Sequence, residues 1–403
     1  MRTDIDDQYK HRTDIAEADG ILRSCVHCGF CTATCPTYQI LGNELDSPRG
    51  RIYLIKQLLE GEKATEKTRL HLDRCLSCRS CETTCPSGVR YHRLLEIGRQ
   101  LIDEQIPLAT SDALVRNAMC HVFPSSRRVK LLLKTGALLK PILPYHLKAK
   151  LPPIRKIKFQ PTAQHARRML VLEGCVQPHT APNTNAATRR VLERLGISLV
   201  SAPKAGCCGA INQHMSDAEQ AKNHMRNNID AWWPEIESGA EAIVLTASGC
   251  GLMVKEYGEV LKDDPRYAAK AERISELAKD ISEIIRDQDL SPLANIGKNT
   301  KVAHHASCTL QHGQKLGGVV ESILQACGYQ LTHVRDSHLC CGSAGTYSLL
   351  QPTLSGQLLE NKMSALLEEQ PDVITSVNVG CQMHLESRAD IPVKHWIELL
   401  DQI

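Results

Sequence analysis

Two short cysteine runs near the N-terminus have the spacing that binds iron–sulfur clusters. Each run reads C-x2-C-x2-C-x3-C-P, and the second repeats the first at an offset of 50 residues: Cys25, Cys28, Cys31, Cys35 and Pro36 correspond to Cys75, Cys78, Cys81, Cys85 and Pro86. In two-cluster ferredoxins with this spacing, the first three thiolates of a run bind one cluster and the fourth binds the other. The doubled pattern therefore predicts a pair of interlocked clusters that pass single electrons.

The crossed arrangement assigns every cysteine of the two runs to a [4Fe–4S] cluster. Cluster one takes Cys25, Cys28, Cys31 and Cys85, whereas cluster two takes Cys75, Cys78, Cys81 and Cys35. The alternative is a pair of structural zinc sites, but zinc usually uses two widely separated C-x2-C pairs. His27, Arg79 and Ser80 lie inside the loops and are expected to shape or solvate the clusters, because the cysteines already complete the ligand sets.

A second cysteine pattern is duplicated in the C-terminal part of the chain. In each copy, 31 residues separate a cysteine from a Cys-Cys-Gly triplet, and a single cysteine follows farther on. Four thiols in a reducing compartment favour a soft metal, so each copy is a candidate metal site. The alternative is that these thiols pack as small apolar side chains without a metal. The candidate ligands are Cys175, Cys207, Cys208 and Cys250 in the first copy, and Cys308, Cys340, Cys341 and Cys381 in the second.

The elements that must position these cysteines follow from local patterns. Asp46-Ser47-Pro48 predicts the start of a helix, and the apolar positions from Ile52 to Leu59 form one face of it before Gly61 ends it. In the C-terminal part, short apolar runs at 169–174, 242–249 and 373–380 each lead toward a cysteine and alternate with helical patterns at 186–195 and 317–326. This alternation predicts two α/β halves with small parallel sheets and cysteines at the strand ends.

The predicted fold class is mixed: an N-terminal helical ferredoxin-like domain with two [4Fe–4S] clusters, followed by a duplicated α/β cysteine-rich domain. We expect the ferredoxin-type domain over residues 1–110, a basic helical linker over 111–167, and the two cysteine-rich halves over 168–290 and 291–403. The linker contains Pro141, Pro144, Pro152, Pro153 and Pro161, which indicates broken helices there. Cys120 and Cys327 lie outside both cysteine patterns and are expected to be packing residues.

The composition of the chain indicates its cellular compartment and argues against one class of partner. The 403 residues include 18 cysteines, and the N-terminus is polar and acidic, unlike a signal peptide. We therefore expect a cytoplasmic protein whose thiols stay reduced. No stretch has the roughly 18 consecutive apolar residues that a spanning helix needs. Aromatic residues make up only 4%, which argues against a nucleic-acid partner that stacks bases.

The linker is strongly basic. No acidic residue lies between Asp112 and Glu173, whereas thirteen lysines and arginines do, interleaved with leucines around 131–143. This pattern is typical of a basic amphipathic stretch that contacts an anionic membrane face near a quinone pool. A solvated or subunit-facing surface is the equal alternative. The expected location is therefore the cytoplasm, with peripheral contact to the cytoplasmic face of the inner membrane as the more specific hypothesis.

The duplicated pattern resembles the CCG domain of heterodisulfide reductases and of related iron–sulfur proteins. The order of parts resembles the iron–sulfur subunits of glycolate oxidases (glycolate dehydrogenases) across nearly the whole chain, most clearly at residues 25–61, 227–243 and 337–347. That resemblance implies flavoprotein partner subunits that oxidise glycolate to glyoxylate and hold FAD, with electrons leaving toward quinone. No flavin- or nicotinamide-binding motif occurs in the chain, which also points to a partner for the carbon–hydrogen chemistry.

The sequence departs from the full CCG pattern, which ends each half in C-x2-C. Met253 and His384 stand at those last positions, which leaves a four-thiol site with His384 or His305 as a possible added ligand. Other functions remain alternatives at this stage. The chain could belong to a lactate or glycerol-3-phosphate dehydrogenase, to a thiol–disulfide reductase of the heterodisulfide type, or to a cluster-bearing regulator without turnover. The lost last cysteine argues against the reductase, and the paired clusters exceed what a sensor needs.

Overall fold

The computed structural model describes residues 1–140 and 164–401, so the predictions for the proline-rich part of the linker lie outside the described residues. The chain forms two compact units. The first unit comprises Met1–Arg116 and His338–Lys362, and the second comprises Asn117–Ser337 and Met363–Ile403. Residues 338–362, which the duplicated sequence pattern assigns to the second cysteine-rich half, thus belong to the unit that carries the ferredoxin-type runs.

The first unit is helical. Ser47 caps the predicted helix by accepting a hydrogen bond from the Gly50 backbone N–H at 2.9 Å, and Pro48 supplies a pre-set φ in the first turn. This helix ends at Leu59, and Gly61 follows with φ of 95°. The helices of this part are Thr13–Ser24, Phe30–Ala33, Pro36–Leu41, Pro48–Leu59, Glu66–Asp73, Ser80–Thr84, Tyr91–Gln105 and Tyr347–Leu350, with short 3-10 turns at Asp7–Tyr9 and Glu44–Asp46.

The core of the first unit lies between its three longest helices. Thr13–Ser24, Pro48–Leu59 and Tyr91–Gln105 bury aliphatic side chains against one another. Gly98 lets two of them approach closely, since a Cβ there would lie 2.6 Å from Ile55 Cγ1. The cysteine runs are the loops that connect these helices, so a rigid apolar core holds both ends of each run. The buried set includes Ile15, Leu22, Ile55, Leu59, Leu72, Leu94, Leu95 and Leu101.

The second unit contains two four-stranded parallel sheets of identical topology. The first sheet has the strand order β2-β1-β3-β4, and the second has the order β6-β5-β7-β8. All neighbouring strands run parallel. This confirms the predicted duplication and the parallel α/β class. The strands are β1 (Arg167–Val171), β2 (Ile197–Ser201), β3 (Ile243–Leu245), β4 (Ala278–Asp280), β5 (Lys301–His305), β6 (Gln330–Leu331), β7 (Val373–Ser376) and β8 (Val393–His395).

Helices cover these sheets and enclose two apolar cores, one of which joins the halves through Met169, Val302, Val320 and Trp396. The buried Arg190–Asp401 ion pair, at 2.6 Å, adds a polar tie between the halves. The helices are Ser126–Leu139, Gln177–Thr180, Pro182–Arg194, Ala210–His214, Ala218–Glu237, Ser248–Lys255, Tyr257–Val260, Ala268–Leu277, Ile281–Arg286, Val319–Ala326, Val379–Glu386 and Ile397–Leu400, with Ser291–Leu293 as a 3-10 turn and Thr309–Gly313 as a π turn. Two more, Thr110–Val122 and Pro352–Leu367, include residues of both units.

Among the described residues, no helix combines the length and the apolar character that crossing a bilayer requires.

Candidate metal centres

The two ferredoxin-type runs adopt the same backbone turn. His27 and Gly29 in the first run have φ of 55° and 85°, and the residues 50 positions later, Ser77 and Arg79, have φ of 52° and 60°. Non-glycine residues in this left-handed region cost conformational energy, and such strain concentrates at ligand sites. The Ser77 backbone N–H points at the Cys75 sulfur at 3.5 Å. The turn in the second run thus brings a backbone N–H donor close to a cysteine sulfur.

The eight run cysteines line two cavities of the first unit, and the division between them is crossed. Each cavity receives three thiols from one run; the other run adds two thiols to the first cavity and one to the second, with Cys81 and Tyr91 on the wall of both. The thiols of the first cavity come from Cys25, Cys28, Cys31, Cys81 and Cys85. Those of the second cavity come from Cys35, Cys75, Cys78 and Cys81. Four thiolates around one cavity are the donor set that a [4Fe–4S] cluster takes, so the residues fit the group.

Burial holds several of these thiols in the neutral form. Desolvation, followed by the neighbouring Cys25 thiol, raises the pKa of Cys31 to about 11. Burial likewise raises the pKa of Cys81, and it raises that of Cys78 together with the Cys340 thiol. Iron binding requires the thiolate, so loading these sites must release protons to solvent.

A buried polar network lies on the wall of the second cavity. Arg51 is 1% exposed and donates from Nε to the His71 carbonyl at 2.7 Å and from Nη2 to Thr37 Oγ1 at 3.1 Å. The Thr37 hydroxyl lies 3.4 Å from the Cys35 sulfur. Asp46, fully buried, is 3.5 Å from Arg51 and also contacts the His71 ring at 3.0 Å. The network therefore connects a permanent cation to a candidate ligand of cluster two.

Tyr91 places a hydroxyl beside a candidate ligand of cluster two. Its ring is buried, and its O–H donates to the Cys75 sulfur at 3.6 Å. The residue 50 positions earlier is Leu41, which ends the helix Pro36–Leu41 and is not among the described residues that line the first cavity. Arg51, Asp46 and Tyr91 were not among the sequence-predicted site residues. Their roles depend on contacts between helices that no local spacing encodes.

Residues 338–362 contact the second run within the first unit. The Tyr347 hydroxyl donates to the Arg74 carbonyl at 3.1 Å, immediately before Cys75. The effect of Cys340 on the Cys78 pKa comes from the same contact region. One cysteine pair of the duplicated pattern thus lies in the unit that holds the ferredoxin-type runs, beside a candidate ligand of cluster two.

The first cysteine-rich half brings its four predicted thiols together. Cys207 hydrogen-bonds Cys175 and Cys208, which raises the pKa of Cys207. Cys208 accepts from Cys207 and Cys250, which lowers its pKa well below the ordinary value. The fold explains the meeting, because β1, β2 and β3 are parallel and neighbouring, so the segments after their carboxyl ends share one edge of the sheet. Four clustered thiols of this kind can hold a soft metal.

The glycine after each cysteine pair is required by the backbone. Gly209 has φ of 93°, and its N–H donates to the Cys207 sulfur at 3.4 Å. Gly342 has φ of 88° and makes the same 3.4 Å contact with Cys340. A Cβ at Gly342 would lie 2.7 Å from the Ser355 carbonyl oxygen. Both copies therefore use one turn that only glycine adopts without strain.

The second half differs from the first in how its predicted ligands are placed. Cys308 and Cys381 belong to the second unit, whereas Cys340 and Cys341 belong to the first. His305 ends β5 and is 1% exposed, and neither ring nitrogen has a hydrogen-bond partner among the described residues. One of these nitrogens lies within 4.8 Å of the Cys381 sulfur.

The two residues that replace the last cysteines of the full pattern have different surroundings. Met253 is buried in the apolar core of the first half, where it packs with Leu245 and Tyr257. His384 lies half-buried in the helix Val379–Glu386. Of the two histidines that the sequence offered as added ligands, the structure thus brings His305 to a candidate thiol. Cys327, expected as a packing residue, is fully buried in the core that joins the halves.

Comparison with protein-family models identifies both cysteine-rich parts. A model described as a 4Fe-4S dicluster domain matches residues 21–89, and one described as a cysteine-rich domain (CCG) matches residues 169–255 and 302–386. These matches confirm the predicted fold class and the iron–sulfur cofactors. They cover all eight run cysteines and the eight candidate thiols of the duplicated pattern.

Two curated relatives match over all or nearly all of the chain, and a third matches over about half of it. The chain is 55% identical over 403 residues to the glycolate oxidase iron-sulfur subunit of Escherichia coli K12, covering 100% of this chain and 99% of the relative. It is 30% identical over 415 aligned residues to the probable glycolate oxidase iron-sulfur subunit of Bacillus subtilis 168, covering 95% and 91%. A lactate utilization protein A of Bacillus cytotoxicus is 27% identical over 238 residues, which cover 56% of this chain and 95% of the relative.

Proposed function

This chain belongs to the family of glycolate oxidase iron–sulfur subunits, and we propose that it is the electron-transfer subunit of a multisubunit dehydrogenase that oxidises glycolate to glyoxylate. The full-length identity of 55% supports the substrate, and the two thiol-lined cavities of the first unit carry the role. Bound [4Fe–4S] clusters supply one-electron transfer without proton uptake. Removing hydrogen from the substrate carbon requires an organic cofactor, which we place, as FAD, in a flavoprotein partner subunit.

We propose that the two clusters take the crossed ligand sets. Cluster one would be held by Cys25, Cys28, Cys31 and Cys85, and cluster two by Cys75, Cys78, Cys81 and Cys35. The crossed lining of the two cavities supports this assignment, since Cys85 lies on the first wall and Cys35 on the second. Each run then contributes to both sites, so neither site forms without the packed helical core.

The substrate is tested with the complex purified anaerobically together with its flavoprotein subunits. Reduction of an artificial dye is measured with glycolate, lactate or glycerol 3-phosphate as the only donor. We expect glycolate to support the highest kcat/KM. Dye reduction by lactate but not by glycolate would overturn the proposal. The chain would then be a subunit of a lactate dehydrogenase, an alternative that the match to lactate utilization protein A supports.

We further propose that the cysteine-rich halves bind iron. The hydrogen-bonded set of Cys175, Cys207, Cys208 and Cys250 supports a site in the first half. In the second half, Cys308 and Cys381 are proposed thiolates of the second unit, and the His305 ring near Cys381, whose nitrogens have no partner among the described residues, supports its addition to them. Buried polar atoms without partners are costly, so a ligand for His305 would relieve that cost.

Iron counting separates these proposals. The two ferredoxin-type clusters account for about eight iron atoms per chain, and appreciably more would place iron in the cysteine-rich halves as well. We expect Cys208→Ser to lower the iron content while both ferredoxin-type EPR signals persist, because its thiol lies between two other candidate ligands. Cys327→Ala, a buried cysteine outside the patterns, is the matched control and should leave iron unchanged. An unaltered iron content in Cys208→Ser would mean that these thiols are packing residues.

The basic helix Ser126–Leu139 supports a proposal of peripheral contact with the cytoplasmic face of the inner membrane, close to a quinone acceptor. Leu131 and Leu138, 63% and 79% exposed, lie two turns apart on one face. Arg127, Arg128 and Lys130 are exposed beside them. Each basic residue near an anionic bilayer adds about 1 kcal/mol of attraction, and the leucines add apolar burial.

Vesicle flotation tests this contact. The full chain should float with vesicles that contain anionic lipids at low salt and stay behind with neutral vesicles. A double substitution, Lys130→Glu with Lys134→Glu, should reduce the affinity for the vesicles by about thirtyfold or more, because reversing two charges removes at least roughly 2 kcal/mol of attraction. Absence of wild-type binding to anionic vesicles at low salt would leave this helix as a solvated or subunit-facing surface.

A further inference from the structure

We propose that Arg51 and Tyr91 set the reduction potential of cluster two above that of cluster one, so that a single electron on the chain rests on cluster two. This inference rests on the crossed ligand sets of the proposed function. The reduced cluster carries one more negative charge than the oxidised cluster. Nearby positive charge and hydrogen bonds to the ligand sulfurs therefore favour the reduced form and raise the potential.

The charges beside cluster two sum to a positive charge that is shared between the buried Arg51 and Arg74, whose side chain is 25% exposed. Arg51 and Arg74 are cationic, and Asp46, which contacts Arg74 at 3.1 Å, is the one carboxylate between them, so two positive charges and one negative charge leave at least one positive charge in either protonation state of His71. Arg51 and Asp46 are 1% and 0% exposed. In such a dry setting a charge acts several times more strongly than in water.

The other carboxylate near this site is already compensated. Glu82 accepts hydrogen bonds from the His92 backbone N–H at 2.6 Å and from the His92 ring at 2.8 Å. Burial raises the pKa of Glu82, but His92 and Arg79 together hold it below its ordinary value. Its negative charge acts on Cys81, but the Arg79 guanidinium on the wall of the same cavity balances that charge, so the excess from Arg51 and Arg74 remains.

Among the described residues, the cations beside cluster one are more exposed than Arg51: the Met1 ammonium, which is only partly buried, donates to the Cys25 carbonyl at 3.0 Å. The guanidinium nearest to cluster one is that of Arg49, which donates from Nε to Glu44 Oε1 at 2.7 Å. The two side chains are 36% and 44% exposed, so they neutralise each other in contact with water. Water itself stabilises a reduced cluster, but one buried unit charge at close range outweighs partial exposure.

Tyr91 adds a second, independent contribution on the same side. Its hydroxyl donates to Cys75, a proposed ligand of cluster two, and the offset of 50 residues places an aliphatic residue, Leu41, in the first run. The hydrogen bond is strongest when the sulfur carries most negative charge, which is in the reduced cluster. Removal of the Tyr91 hydroxyl oxygen should therefore lower the reduction potential of cluster two and leave that of cluster one unchanged.

The test is an EPR-monitored potentiometric titration of the full chain with dithionite and mediators. We expect two midpoint potentials that differ by about 59 mV or more, which corresponds to a tenfold preference of one electron for cluster two. Cys78→Ser and Cys28→Ser assign the signals, since the first should alter the high-potential signal and the second the low-potential signal.

Substitutions then identify the cause. Arg51→Gln and Tyr91→Phe should each lower the higher potential, whereas Arg49→Gln, the matched guanidinium beside cluster one, should change both potentials little. If Arg51→Gln does not fold, Tyr91→Phe alone decides. Equal potentials in the wild type, or a shift of the lower potential in Tyr91→Phe, would overturn the inference. Because the titration uses no substrate, its outcome is independent of whether glycolate is the donor.

Discussion

Replacing Cys35 by serine is expected to remove cluster two, although the other three proposed ligands of that cluster belong to the second cysteine run. Cys35 lies on the wall of the second cavity together with Cys75 and Cys78, and its sulfur contacts Thr37 of the buried Arg51 network. Loss of one of four thiolates should lower the iron content by about four atoms per chain, or convert the cluster to a form with a different EPR signal.

The reciprocal variant is Cys85→Ser, because Cys85 ends the second run but lines the first cavity. We expect Cys85→Ser and Cys28→Ser to alter the same signal, and Cys35→Ser and Cys78→Ser to alter the other. EPR spectra of the four dithionite-reduced variants make the comparison. If Cys35→Ser changes the signal that Cys28→Ser changes, each run holds its own cluster and the crossed assignment is wrong.

Replacing Asp46 by alanine is expected to destabilise the first unit by about 3–5 kcal/mol, because it leaves a buried guanidinium without its carboxylate. Asp46 contacts the Arg51, His71 and Arg74 side chains and is fully buried. Its backbone carbonyl also accepts a hydrogen bond from the Thr37 hydroxyl at 3.0 Å, so a displacement of this turn would reach the wall of the second cavity.

Hydrogen–deuterium exchange of the helix Pro48–Leu59 measures this effect. We expect amide exchange in this helix to accelerate by about a hundredfold or more, which is the factor that about 3 kcal/mol implies. Glu44→Ala is the matched control, since its ion pair with Arg49 is exposed and contributes about 0–1 kcal/mol. Equal acceleration in both variants would mean that burial of the Asp46 network adds nothing to stability.

The local elements of this chain could be predicted because their determinants are local. The Ser47 cap, the proline after it and the apolar spacing predicted the helix Pro48–Leu59, and the structure confirms it to within two residues of the expected end. The apolar runs before Cys175, Cys250 and Cys381 predicted three of the eight strands. Strands β2, β4, β6 and β8 carry no such signal, since they are short and mix apolar with polar or charged residues.

The surroundings of the candidate clusters could not be predicted in the same way. Arginine and aspartate are usually exposed, so nothing in the local pattern marked Arg51 and Asp46 as buried partners. Met253 stands where the full pattern has a cysteine, and its side chain belongs to an apolar core that forms only when helices from distant segments meet. The placement of residues 338–362 in the first unit likewise depends on long-range packing, which sequence periodicity does not encode.

The central claim is that electrons from glycolate pass through the thiol-held clusters of this chain, and rapid-freeze EPR of the anaerobic complex tests it most directly. After mixing with glycolate, we expect flavin bleaching in the partner followed by the signals of reduced [4Fe–4S] clusters, with glyoxylate formed. In Cys78→Ser, flavin bleaching should persist while dye reduction falls by about a hundredfold or more, because the path is broken. Undiminished dye reduction in Cys78→Ser, or clusters that stay oxidised while glyoxylate accumulates, would contradict the account.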